Sequence, residues 1–239
     1  MKAALADEDG VLLDNFMHAS VEPVMSGSTV AVCLINLTAG ELVVSNLGDS
    51  HVILAERDPK TEYPYHIVEP CHTAEETKTR RLTEAHKPEV PSERARINEA
   101  GGTVEKRNGI TRLGSLSMSR ALGDLQYKNP VNAVEDENLT TRARRASSSS
   151  ASARGNFLSN DPYTSRRILQ SNRRYLLVIV SDGVSDRTDD TALIQHVMKL
   201  SMRGMRANDI AQEVVSSTAS RPKSDNATCV VAMLDGQHS

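Results

Sequence analysis

The sequence predicts an α+β layered domain, and two observations carry that prediction. β-Branched runs come in hairpin-spaced succession in the first half of the chain. In the last quarter, apolar residues recur at helical spacing between two strand-like runs.

Taken in order, TVAVCLIN (Thr29 to Asn36) and ELVVSNLG (Glu41 to Gly48) flank the turn residues Thr38, Ala39 and Gly40, which is a hairpin signal. HVILAE (His51 to Glu56) follows as a third strand. PSERARINEAGG reads as a short helix with Ser92 as its N-cap, Ile97 and Ala100 on its apolar face and Gly101 at its stop. TVEKRNGITRL predicts a tight hairpin, because Asn108 and Gly109 accept the positive φ angles of a type I′ turn. YLLVIVS (Tyr175 to Ser181) is a continuous apolar run of buried-strand type. Two helices are expected next. The first spans about 189–202, with Thr188 as its cap and Leu193, Val197 and Leu200 at helical spacing. The second spans about 208–217, with Ile210 and Val214 on one face, and NATCVVAML (Asn226 to Leu234) closes the chain as a strand.

With 239 residues, the chain is long enough for one enzyme domain. Its 28 Lys and Arg against 31 Asp and Glu leave a net charge of −3, which provides no positive field to hold nucleic acid or an anionic membrane. The longest apolar runs, Val30 to Ile35 and Leu176 to Val180, fall short of the ~20 residues of a membrane span. Cys33, Cys71 and Cys229 are too few and too scattered for a disulfide framework or zinc cluster, and Cys33 and Cys229 read as small buried hydrophobes. The opening MKAALADEDG has neither secretory nor transit character. The expectation is a soluble intracellular monomer, cytoplasmic or mitochondrial. Residues 133–165 carry a Ser and Arg tract with too little apolar surface to order itself, expected as a disordered insertion within a single domain spanning 1–239. Inside it, Arg144, Arg145, Ala146 and Ser147 form a basophilic kinase pattern, which makes Ser147 a candidate phosphosite; an unmodified solvated loop is the alternative.

Hard cations such as Mg²⁺ or Mn²⁺ need carboxylate oxygens converging from separate segments, so acids at strand ends are the candidates. Asp182 follows one predicted strand and Asp225 precedes another, so antiparallel pairing of the two would bring both to one sheet edge. Asp49, in NLGDSHV, could face the same edge. Each of these acids also reads as an ordinary turn residue.

The segments SGST (Ser26 to Thr29), NLGDSHVIL (Asn46 to Leu54), LTEAHKPEVPSERARINEAGGTV (Leu82 to Val104), LSMSRALGD (Leu116 to Asp124), VIVSDGVSD (Val178 to Asp186) and SDNATCVVAML (Ser224 to Leu234) resemble, in order, the motifs of the metal-dependent protein phosphatases of type 2C. The resemblance implies an α-β-β-α sandwich of two antiparallel sheets flanked by helices. It also implies two Mg²⁺ or Mn²⁺ ions, with a third in some members, and hydrolysis of phosphoserine and phosphothreonine in phosphorylated protein substrates. The nucleophile would be a metal-bound water rather than a side chain. By position, Asp182 and Asp225 match metal ligands of the DG and DN motifs, with Gly183 and Asn226 beside them; Asp49 and Asp186 match acids of a weaker third metal position. His86 in HKP is a candidate proton donor or a loop-structuring histidine, and Arg120 a candidate substrate contact or a structural ion-pair partner. His51 stands where the family often has Arg, and Ser185 where Trp is frequent.

No Asp-Gly-His-Gly segment precedes Ser26, since Ala6 to Gly10 reads ADEDG. The expectation is therefore an N-terminally incomplete member of the family, weakly active or inactive. The alternative is a non-catalytic, phosphatase-like module that regulates partners.

Overall fold

The computed structural model describes residues 1–18, 26–57, 66–67, 81–129, 155–222 and 224–235. They form two compact units, each discontinuous in sequence. One comprises Met1–Val30, Leu47–Asp49 and Ala85–Pro162; the other comprises Ala31–Asn46, Ser50–Glu84 and Tyr163–Ser239.

The first unit begins with α1 (Lys2–His18), followed by the two-residue strand β1 (Gly27–Ser28). The second unit holds β2 (Val30–Asn36, whose first residue falls in the first unit), β3 (Glu41–Leu47, whose last residue does the same), β4 (His51–Arg57) and β5 (His66–Ile67). The first unit resumes with α2 (Pro91–Glu99), the hairpin β6 (Glu105–Arg107) and β7 (Ile110–Arg112), and β8 (Leu122–Gly123). The second continues with β9 (Tyr163–Ile168), β10 (Arg174–Val180), α3 (Asp182–Ser185), α4 (Asp190–Met202), α5 (Ala207–Ala219) and β11 (Cys229–Asp235). Antiparallel sheets flanked by helices make this the expected α+β fold.

In the second unit, two sheets run in the orders β2-β3-β9 and β11-β10-β4-β5. Strand alternation explains how they pack, because successive side chains leave a strand on opposite faces. Ile53 and Ala55 of β4 and Leu176, Val178 and Val180 of β10 point to one face, where Leu193, Val197 and Leu200 of α4 and Ile210 and Val214 of α5 cover them. Val52, Leu54, Tyr175 and Leu177 point the other way and meet Leu42 and Val44 of β3. The run of β10 is apolar at every position from Tyr175 to Val180 because both of its faces are covered.

In the first unit, Ile97, Leu113, Ala121, Tyr127, Phe157 and Leu158 form a separate core. A buried ion pair ties α1 into it. Asp9 accepts from Lys128 Nζ (2.5 Å) and from the Gly123 amide (2.8 Å), and Lys128 Nζ also donates to the Ala121 carbonyl (2.8 Å).

Several expectations are corrected. Pro91 occupies the first turn of α2 and Val90 its cap position, with no side-chain cap bond, so Ser92 is not the N-cap. Proline suits that position because its missing N–H has no partner there in any case. For α4 the cap is Asp189 rather than Thr188: its carboxylate accepts from the Thr191 and Ala192 amides (3.0 and 3.1 Å). The expected disorder does not extend to residue 165, because Phe157 and Leu158 are buried and Tyr163, Thr164 and Ser165 lie in β9, paired with β3. Residues 130–154, Ser147 among them, and Cys71 lie outside the described residues. Asn108 and Gly109 do take positive φ (52° and 86°) between β6 and β7. Cys33 and Cys229 are half-buried, and burial pushes their thiols up to about 12 and about 11. Among the described residues no helix is long and apolar enough to cross a membrane.

Leu176→Ala, at a fully buried site between β4 and β11, is expected to lower the unfolding free energy by about 2–5 kcal/mol, whereas Leu37→Ala, 79% exposed, should stay within about 0.5 kcal/mol. Urea denaturation of the two variants measures the difference.

Candidate functional site

β10 and β11 pair antiparallel from Arg174↔Asp235 to Val180↔Cys229. Beyond the last pair the two chains stay tied. The Ser181 amide donates to the Thr228 carbonyl (3.1 Å), and the Thr228 amide donates to Ser181 Oγ (3.0 Å). Asp182 opens α3 one residue further on, and Asp225 lies three residues before Thr228 in the irregular segment leading into β11. The antiparallel register therefore brings both acids to one end of the sheet. Gly183 makes the close approach possible, since a Cβ there would lie 2.2 Å from the Asn226 carbonyl oxygen. Each carboxylate is oriented by the amide that follows it: Gly183 N–H donates to Asp182 Oδ1 (2.8 Å) and Asn226 N–H to Asp225 Oδ1 (2.7 Å). Asp182 is half-buried and Asp225 exposed.

Asp186 follows α3 one helical turn after Asp182, is exposed, and donates its amide to the Asp182 carbonyl (2.8 Å). Asp49 belongs to the other compact unit, where it is buried with Lys87 Nζ 3.8 Å away. Among the described residues, no three of His, Cys, Asp and Glu come together as a group able to hold a metal ion. Two carboxylates at one edge supply hard oxygens of the right chemistry for a single divalent cation completed by water. They do not supply the donor set of a two-cation cluster.

His86 and Arg120 sit in the first unit and belong to one network. His86 is buried, and its Nδ1 accepts from the Gly48 amide (3.1 Å). Burial, aided by the Arg120 charge, lowers its pKa to about 4 against the opposing pull of Glu93. His86 is consequently a neutral acceptor at physiological pH and holds no proton on Nδ1 to give. Arg120 donates to Glu93 Oε1 through Nε (3.0 Å) and Nη2 (2.5 Å) and to the Asp161 carbonyl through Nη1 (2.6 Å). The other oxygen of Glu93 accepts from Ser119 Oγ (2.7 Å) and Arg96 Nη2 (3.1 Å). Burial would raise the Glu93 carboxyl, but these donors and the two arginine charges outweigh it and hold its pKa at about 2.

The sequence profile of the Protein phosphatase 2C family matches residues 2–227. The chain belongs to that family. A probable protein phosphatase 2C of rice is 26% identical over 212 residues, covering 87% of this chain and 49% of the relative. Protein phosphatase ppm-1.A of Caenorhabditis elegans is 27% identical over 219 residues, covering 91% of this chain and 37% of that one. The chain thus spans about half or less of the length of these relatives. Among solved structures, a C. elegans sex-determining protein superposes with TM-score 0.67 at 20% identity, covering 97% of this chain and 45% of that one. Serine-threonine phosphatase 2C from Toxoplasma gondii gives 0.63 at 18% identity, covering 95% and 63%. At those identities the structures attest the fold alone.

Sequence reasoning missed three features that organise this phosphatase fold. Glu93 anchors Arg96, Ser119 and Arg120; Asp9 pairs with Lys128; and Arg81 Nε donates to Asp190 Oδ2 (2.7 Å) while its Nη1 meets His51 Nε2. The last contact puts a guanidinium beside the position where the family often carries its own arginine.

Three substitutions test these local environments. Gly183→Ala should destabilise by about 1–3 kcal/mol, because the added methyl meets backbone. Gly10→Ala, with nothing within 4 Å of the new Cβ in α1, should gain up to about 1 kcal/mol; thermal melts compare the two. A histidine held at about 4 in the fold against an ordinary 6.5 contributes stability above pH 6.5 that is lost as pH falls through 4. His86→Asn, whose amide oxygen can still accept from Gly48, should flatten that limb of the urea-midpoint profile between those two pH values.

Proposed function

We propose that this chain contributes the DG and DN acids of a Mg²⁺- or Mn²⁺-dependent protein serine/threonine phosphatase, acting on phosphorylated protein substrates. The observation that carries the reading is the β10–β11 register, which ends with Asp182 and Asp225 at the same end of one sheet. Family membership supports the reaction class, and the two carboxylates support the cation class.

The roles follow from the residues themselves. Asp182 and Asp225 would hold one divalent cation through the oxygens not engaged by the neighbouring amides. Gly183 and the Ser181–Thr228 link would keep the two acids at a fixed spacing. Asp186, tied by its amide to the Asp182 carbonyl, is assigned as a further acid of the site. A bound cation would supply Lewis-acid polarisation of phosphate oxygens and a charge partner for the carboxylates. His86, a neutral acceptor toward Gly48, and Arg120, engaged by Glu93, are assigned positioning roles in their loops.

A second reading has its own observation. Because no three-ligand group exists among the described residues, a chain that binds substrate-like partners without turnover is the alternative, a regulatory module on the phosphatase fold.

One pair of measurements separates the two. Mn²⁺ titration by calorimetry should detect a weak site that Asp182→Asn weakens at least about tenfold, which is about 1.4 kcal/mol. Release of phosphate from a phosphothreonine peptide that requires Mn²⁺ and disappears in Asp182→Asn supports the enzyme. Mn²⁺ binding with no turnover supports the module, and no Mn²⁺ binding by a folded sample removes the cation-site assignment.

A further inference from the structure

The chain between α5 and β11 is fastened at two points. α5 stops at Ala219, and the Ala219 carbonyl, which has no partner within the helix, accepts from Ser224 Oγ (3.0 Å). Arg221 Nη1 donates to the Arg187 carbonyl (2.9 Å), while the Ser224 amide donates to the Arg221 carbonyl (3.2 Å). One hydroxyl thus ties the segment to the helix behind it, and one guanidinium ties it to the turn after α3. Asp225 is the next residue along.

Ser224 is also the last residue of Arg221-Pro222-Lys223-Ser224, with an arginine three positions and a lysine one position before a hydroxyl. A protein kinase with acidic residues in its peptide groove reads that spacing by charge pairing. Among the described residues, an arginine stands three positions before two other hydroxyls, those of Thr83 and Ser115. Thr83 is buried. Ser115 sits in a closed turn, where Leu113 and Leu116 exchange backbone bonds (2.9 and 3.0 Å) and the Ser115 amide donates to the Tyr127 hydroxyl (3.2 Å). Ser224 to Thr228 belong to no helix or strand, and Arg221, Pro222, Asp225 and Asn226 are exposed around a half-buried Ser224. Of the three, this is the hydroxyl whose surroundings can be drawn into an extended groove.

We propose that Ser224 is a phosphorylation site for an arginine-directed protein kinase, and that its phosphate releases the segment leading into β11 from α5. In the transfer, Ser224 Oγ bonds to the γ-phosphorus of ATP as the bond from that phosphorus to the β–γ bridging oxygen breaks. ADP leaves, and the hydroxyl proton passes to the base of the kinase. The product does not keep the present arrangement. The ester oxygen has no hydrogen to donate to Ala219, and a charge of about −1.5 to −2 then stands at the negative end of the α5 dipole, one residue from the Asp225 carboxylate. Arg221 is the cation three residues away, and turning its guanidinium to the phosphate takes it from the Arg187 carbonyl. Both fastenings are lost in one step. Asp225 lies in the released segment, so the modification acts on the sheet end that Asp182 and Asp225 share; the site assignment holds whether or not those acids bind a cation.

The test uses the full chain carrying Ser147→Ala and Ser148→Ala, which removes the two remaining serines with an arginine three positions before them. It is incubated with ATP and the catalytic subunit of cyclic-AMP-dependent kinase, and labelled positions are read by peptide mass spectrometry. Ser224 is expected to be labelled, and Arg221→Ala, at an exposed position, should slow that labelling about tenfold or more. The Ser220 and Arg221 amides, bonded to the Ser216 and Thr218 carbonyls in the last turn, should exchange at least about tenfold faster in the phosphorylated chain. Ser224→Ala, which loses the hydroxyl without gaining charge, should speed them less. A Ser224 that stays unlabelled in the folded chain overturns the proposal, as does labelling that Arg221→Ala leaves unchanged. A labelled chain whose Ser220 and Arg221 amides exchange at the unmodified rate overturns the release.

Discussion

The arrangement depends on the hydrogen-bonded position of β10. It is paired along its whole length on both sides, with β11 and with β4, and Val180 closes both ladders against Cys229 and His51. Because register in a sheet is a two-residue period, a slip of one position would turn Leu176, Val178 and Val180 away from the helices and send Tyr175 and Leu177 toward them. The hydrophobic contrast between the two outcomes locks the register, and the locked register determines where the chain leaves the strand. Asp182 and Asp225 lie at the same end of the sheet for that reason. Their placement is a by-product of packing several residues away.

Buried charge is handled differently in the first unit. Glu93, Asp9 and Lys128 are almost wholly enclosed, and an enclosed charge is tolerated only when donors or acceptors surround it. Glu93 collects two guanidinium groups and a hydroxyl, which is why its carboxyl stays ionised despite burial. For Lys128, burial pushes the ammonium down and the Asp9 carboxylate pulls it back up. Such pairs favour geometry over affinity: they fix α1 to the turn after β8 and fix the Ser119–Arg120 segment to α2.

Most of the strand and helix plan was legible in the sequence because it rests on local period. The alternating and continuous apolar runs of β2, β3, β4, β10 and β11, and the spacing of Leu193, Val197 and Leu200, are properties of neighbouring residues. That Asp182 and Asp225 leave the same end of the sheet was legible too, since it needs only the assumption that two apolar strands pair antiparallel. Caps were less so, because Ser92 and Thr188 have the right chemistry but a neighbour, Pro91 or Asp189, sits at the geometric position. The end of the Ser and Arg tract has no local signal, because Phe157 and Leu158 are two apolar residues in polar surroundings and their burial is decided by Ile97 and Tyr127, far away in sequence. The pairings of Arg81 with Asp190 and of Asp9 with Lys128 have no local signature at all. Each joins residues more than a hundred positions apart.

The polypeptide passes from one compact unit to the other after Val30, Asn46, Asp49, Glu84 and Pro162. Neither unit is a stretch of sequence, so no single scission releases one of them intact, and neither could be exchanged between genes as a cassette. Whatever divides the fold spatially, translation and inheritance handle it as one indivisible piece.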